Sequence, residues 1–160
     1  MDTPVEYDER LGVPLRWWVQ GTMLVATLWI AVVVAVPGPA AWVVTALALA
    51  LMAGLFVAYG AARVQVGGGV LRAGRARIGA EHLGTSTALD PEATRRVAGR
   101  EADARAYLLL RPYLKRAVKV EVVDPADPAP YWLVSTRRPE ELVAALGALT
   151  RATGTTSPSS

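Results

Sequence analysis

Two long apolar segments near the start of the chain dominate its hydrophobic pattern. Residues 17–36 and residues 40–62 contain no charged side chain, and each is long enough to cross a hydrocarbon core of about 30 Å as a helix. The intervening Pro37-Gly38-Pro39 cannot continue a helix, because proline lacks the amide donor. The pattern predicts a transmembrane helical hairpin.

After the hairpin, apolar and polar positions alternate, which is typical of half-buried strands. Residues 63–66 and 70–73 predict two strands joined by a Gly67-Gly68-Gly69 turn. Residues 75–78 predict a third strand, unless Gly74 is a bulge within one longer strand. Further strands are predicted at 107–111, 117–123 and 131–136.

Two helices are predicted in the same region. Asp90-Pro91-Glu92 is a typical helix start, and this helix should end near residue 97 or 99. Residues 139–149 predict an amphipathic helix covering the sheet, with an apolar face at i, i+3, i+4 and i+7 formed by Leu142, Ala145, Leu146 and Leu149.

These elements predict an α+β membrane protein with four segments. Residues 1–16 are a lead-in and 17–62 the hairpin. Residues 63–150 form a small antiparallel β-sheet domain, and 151–160 are a polar tail expected to be disordered. Both termini should be cytoplasmic, since Arg10 and Arg16 precede the first span, Arg63 follows the second, and the loop has no Lys or Arg. The acidic start argues against a cleaved signal peptide.

Small residues recur at every fourth position of the second span. They are Ala46, Ala50, Gly54, Ala58 and Ala62. Such a ladder lets another backbone approach closely, so it predicts a packing face in the membrane. Its simplest partner is the first helix of the same hairpin, and a second protomer is the alternative, which leaves a homo-oligomer open.

Residue chemistry gives little sign of catalysis. The chain has no cysteine, which excludes disulfides and thiolate nucleophiles. A single histidine, His82, has no evident nucleophile partner. Asp124 and Asp127 stand among three prolines, which indicates a turn rather than a metal loop. We therefore expect no catalytic residue, no metal and no cofactor.

Basic residues suggest a different role. Residues 63–160 contain 15 Lys and Arg against 10 Asp and Glu, and anionic lipid attracts such a domain when it is tethered nearby. Candidate contacts with lipid headgroups or a protein partner are Arg63, Arg72, Arg75, Arg77, Arg137 and Arg138. The alternatives are an ordinary solvated surface, or sheet arginines paired with Glu81 or Glu121. Nucleic acid is not expected, because aromatic residues are not interleaved with the basic ones.

Several stretches together resemble a known family. They are Tyr7-x-Glu9-Arg10-Leu11-x-x-Pro14-x-x-Trp17-Trp18, the uncharged hairpin, Leu71-Arg72-Ala73-Gly74, Ala93-Thr94-Arg95-Arg96, and the run from Tyr131 to Pro139. They resemble an actinobacterial family of alanine-rich two-span membrane proteins of unknown function, over nearly the whole chain to about Leu149. That resemblance implies no activity and no site residues.

The order of elements also resembles bacterial membrane proteins with a pleckstrin-homology-like (PH-like) domain. In such domains a C-terminal helix closes one end of a bent antiparallel sheet, although the helix at Asp90 departs from the usual seven-strand series. The function we expect is a membrane-anchored, non-enzymatic scaffold or interaction module that presents a basic cytoplasmic domain at the inner membrane surface. The alternative is a small membrane-bound enzyme or an accessory subunit of a membrane enzyme complex.

Overall fold

The structure is a computed structural model that describes residues 5–36 and 38–154. Its elements in chain order are β1 (Val5–Arg10), α1 (Leu15–Ala35), α2 (Ala40–Gly60), β2 (Arg63–Gly67), β3 (Val70–Ala73), β4 (Ala76–Gly79), a 3₁₀ turn (Ala80–His82), β5 (Leu83–Leu89), α3 (Pro91–Ala98), β6 (Tyr107–Leu109), β7 (Ala117–Val122), β8 (Tyr131–Ser135) and α4 (Pro139–Gly154). The chain is therefore α+β, and its described residues divide into two units, one within residues 12–62 and the other formed by residues 5–11 and 63–154.

The helical unit consists of α1 packed against α2. A Cβ at Gly21 of α1 would lie 2.6 Å from the Met52 sulfur, so a larger residue there would require the Met52 side chain to move. The Trp18 and Phe56 rings pack in a T-shaped arrangement, with ring centroids 5.1 Å apart. Each helix has 21 residues and is long and apolar enough to span a membrane, by length and composition.

Hydroxyl groups within these helices are satisfied locally. Thr27 donates to the carbonyl of Met23, and Thr45 donates to that of Ala41. These bonds to the preceding turn remove the cost of placing a hydroxyl in an apolar medium.

The small-residue ladder does not face α1. Ala46, Ala50, Gly54 and Ala58 are exposed, and a side chain built at Gly54 would meet nothing within 4 Å. The close approach uses Gly21 against Met52 and Phe56 instead. The prediction that α1 is the partner of the ladder is therefore wrong, and Ala62 lies beyond the end of α2.

The first sheet has the strand order β1-β2-β3-β4, with each neighbouring pair antiparallel. β1 was not predicted, because residues 1–16 were interpreted as a lead-in. It pairs with β2 from Val5 opposite Gly67 to Arg10 opposite Arg63. The helical unit is thus an insertion between two neighbouring strands of one sheet.

Tight turns connect the other strands of this sheet. Gly68 and Gly69 have φ values of +61° and +77°, which confirms the predicted glycine turn between β2 and β3. Gly74 has a φ of +64° in the turn between β3 and β4. The alternative of one longer strand with a bulge at Gly74 is therefore wrong.

The second sheet has the order β5-β7-β8-β6. Its β6 and β8 are parallel, whereas β5–β7 and β7–β8 are antiparallel. The prediction of one antiparallel sheet was too simple, because β5 was not predicted and β6 enters beside β8 in the parallel direction. β8 is buried along its whole length.

Two helices pack on these sheets. The Asp90 side chain accepts a hydrogen bond of 2.7 Å from the Ala93 amide, which confirms the predicted start of α3. α4 buries Leu142, Ala145, Leu146 and Leu149, as predicted, and contacts strands of both sheets. It continues past Leu149 to Gly154, so residues 151–154 are helical, while the rest of the predicted tail, 155–160, lies outside the described residues.

Candidate functional site

β1 carries a buried carboxylate on the inward side of the first sheet. Along this strand Tyr7 and Glu9 are buried, whereas Asp8 and Arg10 are exposed. Glu9 is only 6% exposed. A buried carboxylate is costly unless other groups donate hydrogen bonds to it.

Both oxygens of Glu9 have donors. The Tyr7 hydroxyl donates to Oε2 over 2.6 Å, and the Thr136 hydroxyl donates to the same oxygen over 2.5 Å. The Arg137 backbone amide donates to Oε1 over 3.0 Å, and its guanidinium lies 3.5 Å from that oxygen. We call Tyr7, Glu9, Thr136, Arg137 and Arg138 the Glu9 cluster.

The two arginines of the cluster also cover the outer edge of β1. Arg137 donates to the carbonyl of Arg10, and Arg138 donates to that of Asp8, each over 3.2 Å. The Arg138 guanidinium lies 5.1 Å from the centre of the Tyr7 ring, which is a cation–π distance. An edge strand with its carbonyls bonded in this way cannot pair with another chain through them.

Burial raises the pKa of the Tyr7 hydroxyl well above its usual value, and the hydrogen bond to Glu9 raises that pKa further. The phenol therefore remains a neutral donor at neutral pH. With Tyr7 protonated and Glu9 engaged by groups of the protein, this arrangement fastens β1 to the segment before α4. It resembles a structural clamp more than a proton-transfer site.

Two of the predicted contact residues, Arg137 and Arg138, belong to the Glu9 cluster. Arg137 and Arg138 were predicted to contact lipid or a partner. In the structure, the Arg137 guanidinium forms an ion pair with Glu9. The Arg138 guanidinium donates to the Glu141 carboxylate over 2.9 Å and to the backbone carbonyl of Asp8. Each of these guanidinium groups therefore already has partners in the domain.

The outward side of the first sheet carries most of the other predicted arginines. Two rows cross it, one from Asp8 through Gln65 and Arg72 to Arg77, and one from Arg10 to Arg63. Residues directly opposite in such pairs share a face. We call these six residues the arginine face, and Arg75 lies in the adjoining turn.

Like charges stand opposite each other twice on the arginine face. Arg72 is the direct cross-strand partner of Arg77, and Arg10 is that of Arg63. All four are exposed, and Asp8 contributes a carboxylate to this face. Such pairs are destabilising unless an anion is nearby.

Within residues 7–36 and 38–154, whose side chains the structure describes, no acidic side chain pairs with an arginine of this face. The expected alternative, pairing with Glu81 or Glu121, is not found: Glu81 lies 3.7 Å from His82. Elsewhere in the domain, arginines have carboxylate partners, namely Arg96 with Glu101, Arg105 with Asp103, Arg116 with Glu140, Arg137 with Glu9 and Arg138 with Glu141. Within residues 7–36 and 38–154, Arg75, Arg95 and Arg100 also have no carboxylate partner, so what distinguishes the arginine face is that its arginines stand directly opposite each other in two cross-strand pairs.

Sequence reasoning missed Glu9, Thr136 and Arg10. The signal that could have found them is the alternation Tyr7-x-Glu9-x-Leu11, whose three named residues are all buried. It was not interpreted as a strand, because an inward glutamate breaks the apolar pattern and the partner strand is more than fifty residues away.

The other candidates have structural roles. Asp124 and Asp127 each accept a hydrogen bond from the backbone amide two residues later, which is the geometry of an Asx turn. His82 is 40% exposed and lies 4.0 Å from Asp124. Within residues 5–36 and 38–154, no group of three or more His, Asp or Glu side chains could hold a metal ion.

Comparison with known proteins identifies a family. A family model described as "Protein of unknown function (DUF3093)" matches residues 6–146. The chain belongs to this family. The matched region contains both apolar helices, the Glu9 cluster and the arginine face of this DUF3093 member. No curated protein and no solved structure matches the chain.

Proposed function

We propose that this protein is a membrane-anchored, non-enzymatic scaffold or interaction module. Its helical hairpin spans the inner membrane with both termini in the cytoplasm, and its domain presents a basic face at the inner surface. The observation that carries this proposal is the pairing of Arg10 with Arg63 across β1 and β2.

That pairing restricts the possible topologies. If one helix of 21 residues crossed the bilayer and the other did not, β1 and β2 would lie on opposite sides and could not form a sheet. Two crossings return the chain to the side from which it left. The arginines before α1 and after α2, with none described between the helices, favour the cytoplasmic side.

The Glu9 cluster supports a module rather than an enzyme. Its carboxylate accepts hydrogen bonds from Tyr7, Thr136 and Arg137, so the most buried acidic group of the described residues is used to hold the fold. The PH-like architecture is also a proposal. It is supported by two four-stranded sheets and by an α4 that packs against strands of both.

Cysteine labelling tests the topology directly, because the chain has no native cysteine. Ala40→Cys lies at the start of α2 and Arg100→Cys in the exposed turn after α3. In intact cells, a membrane-impermeant maleimide should label the first variant and not the second, and in inverted vesicles the reverse should hold. Labelling of both sites from the same side would overturn the proposal.

A further inference from the structure

We propose that the arginine face binds the phosphate groups of anionic phospholipids. This inference rests on the proposed function, and it names the partner of the basic face. Arg72 with Arg77 and Arg10 with Arg63 form two cross-strand guanidinium pairs on one side of the first sheet. A guanidinium fork binds phosphate through two parallel hydrogen bonds, so each pair offers donors from two sides.

The positive charge of this face favours binding of an external anion. Four exposed arginines share it with Asp8, and within residues 7–36 and 38–154 no ion pair joins them to an acidic group. Five other arginines of the domain have carboxylate partners, whereas the two like-charged pairs of this face have none within residues 7–36 and 38–154. A phosphate would remove the repulsion within each pair.

Chain connectivity favours lipid as the source of that phosphate. Arg63 begins β2 three residues after α2 ends at Gly60, and Arg10 ends β1 five residues before α1 begins at Leu15. Both members of one pair are therefore separated from the two apolar helices by only a few residues of chain. The face carries no aromatic side chain on which a base of nucleic acid could stack.

The test uses the full chain in lipid nanodiscs. Gln65→Cys places a fluorophore at the centre of the arginine face, and Ala126→Cys places it in the exposed connection between β7 and β8. A quencher attached to lipid headgroups reports how close each position comes to the membrane surface. Nanodiscs of phosphatidylcholine alone are compared with nanodiscs that also contain phosphatidylglycerol, over a salt series.

We expect quenching at residue 65 to increase with phosphatidylglycerol and to decrease with salt, while quenching at residue 126 changes little. The double variant Arg72→Gln/Arg77→Gln should lower the equilibrium constant for docking of the domain by about 30-fold. Arg95→Gln/Arg100→Gln removes the same charge from exposed positions outside the face and is the matched control. The unfolding temperature of both variants is measured to confirm an intact fold.

Other results would overturn the inference. Quenching that ignores lipid charge, or that survives in the Arg72→Gln/Arg77→Gln variant, would show that the face does not bind headgroups. Reversal by inorganic phosphate or single-stranded DNA, but not by sodium chloride of equal ionic strength, would assign the face to a soluble ligand. Failure of the proposed function is distinguishable, because Ala40→Cys and Arg100→Cys would then be labelled from the same side.

Discussion

Glu9 connects β1 to the segment before α4. Its carboxylate joins the Tyr7 hydroxyl to Thr136 and Arg137, which lie more than 120 positions away in the chain. Removing one partner from a buried ionic cluster leaves the others without their hydrogen bonds, and this usually costs several kcal/mol.

Glu9→Ala should therefore lower the free energy of unfolding of the domain by about 3 kcal/mol. Asp8→Ala is the matched control, because Asp8 is the exposed neighbour in the same strand and bonds Arg138 through its backbone carbonyl. It should change stability by less than about 0.5 kcal/mol. Denaturation of the full chain in mild detergent measures both, and equal effects would show that the cluster does not hold β1.

The Tyr7 hydroxyl should make the free energy of unfolding fall at alkaline pH. Its pKa is raised by burial and by its bond to Glu9, whereas an unfolded tyrosine ionises near pH 10. The stabilisation from the neutral phenol is therefore fully present below about pH 10 and is lost as the pH rises above that value. Unfolding measured from about pH 7 to about pH 11 should show this loss in the native chain and a smaller loss in Tyr7→Phe. Identical pH profiles would contradict the assignment.

At the scale of elements, the sequence predicted most of the helices and strands whose signal is a local pattern of residues. α3 begins at its capping aspartate, α4 buries the predicted apolar face, and β7 and β8 fall within the predicted ranges. β1 and β5 were missed because their strand character depends on distant partners. β1 contains an inward glutamate, and β5 (Leu83–Leu89) has only small and polar residues between its two leucines.

The β3–β4 hairpin tests whether its arginines serve the fold. Because Arg72 directly opposes Arg77, Arg72→Glu should convert a repulsive cross-strand pair into an attractive one. We expect the free energy of unfolding to rise by about 0.5 kcal/mol. Arg100→Glu, in an exposed turn, should have no such effect. A lower stability of Arg72→Glu would show that Arg72 supports the sheet rather than an external anion.

At the scale of the whole molecule, the connection between the units is what the sequence could not reveal. Two apolar segments were evident because each is a continuous local signal. Nothing local indicates that the strands on either side of them belong to one sheet. The candidate site was predicted in part for the same reason: Arg63, Arg72 and Arg77 follow the hairpin in sequence, but Arg10 joins them only through β1.

The insertion implies that the helical unit can be removed without unfolding the domain. Arg10 and Arg63 are cross-strand partners, so a short glycine-containing linker from Leu11 to Ala62 should close β1 and β2 into an ordinary hairpin. Leu11 is kept because it is fully buried and its carbonyl accepts from the Tyr113 hydroxyl. The shortened chain should be soluble and unfold cooperatively.

A fragment beginning at Arg63 lacks β1 and therefore also lacks Glu9, the acceptor for the Thr136 hydroxyl. The edge of β2 is then exposed, so this fragment should aggregate. Size-exclusion chromatography and thermal unfolding distinguish the two chains, and a stable monomeric fragment from Arg63 onward would show that β1 is dispensable.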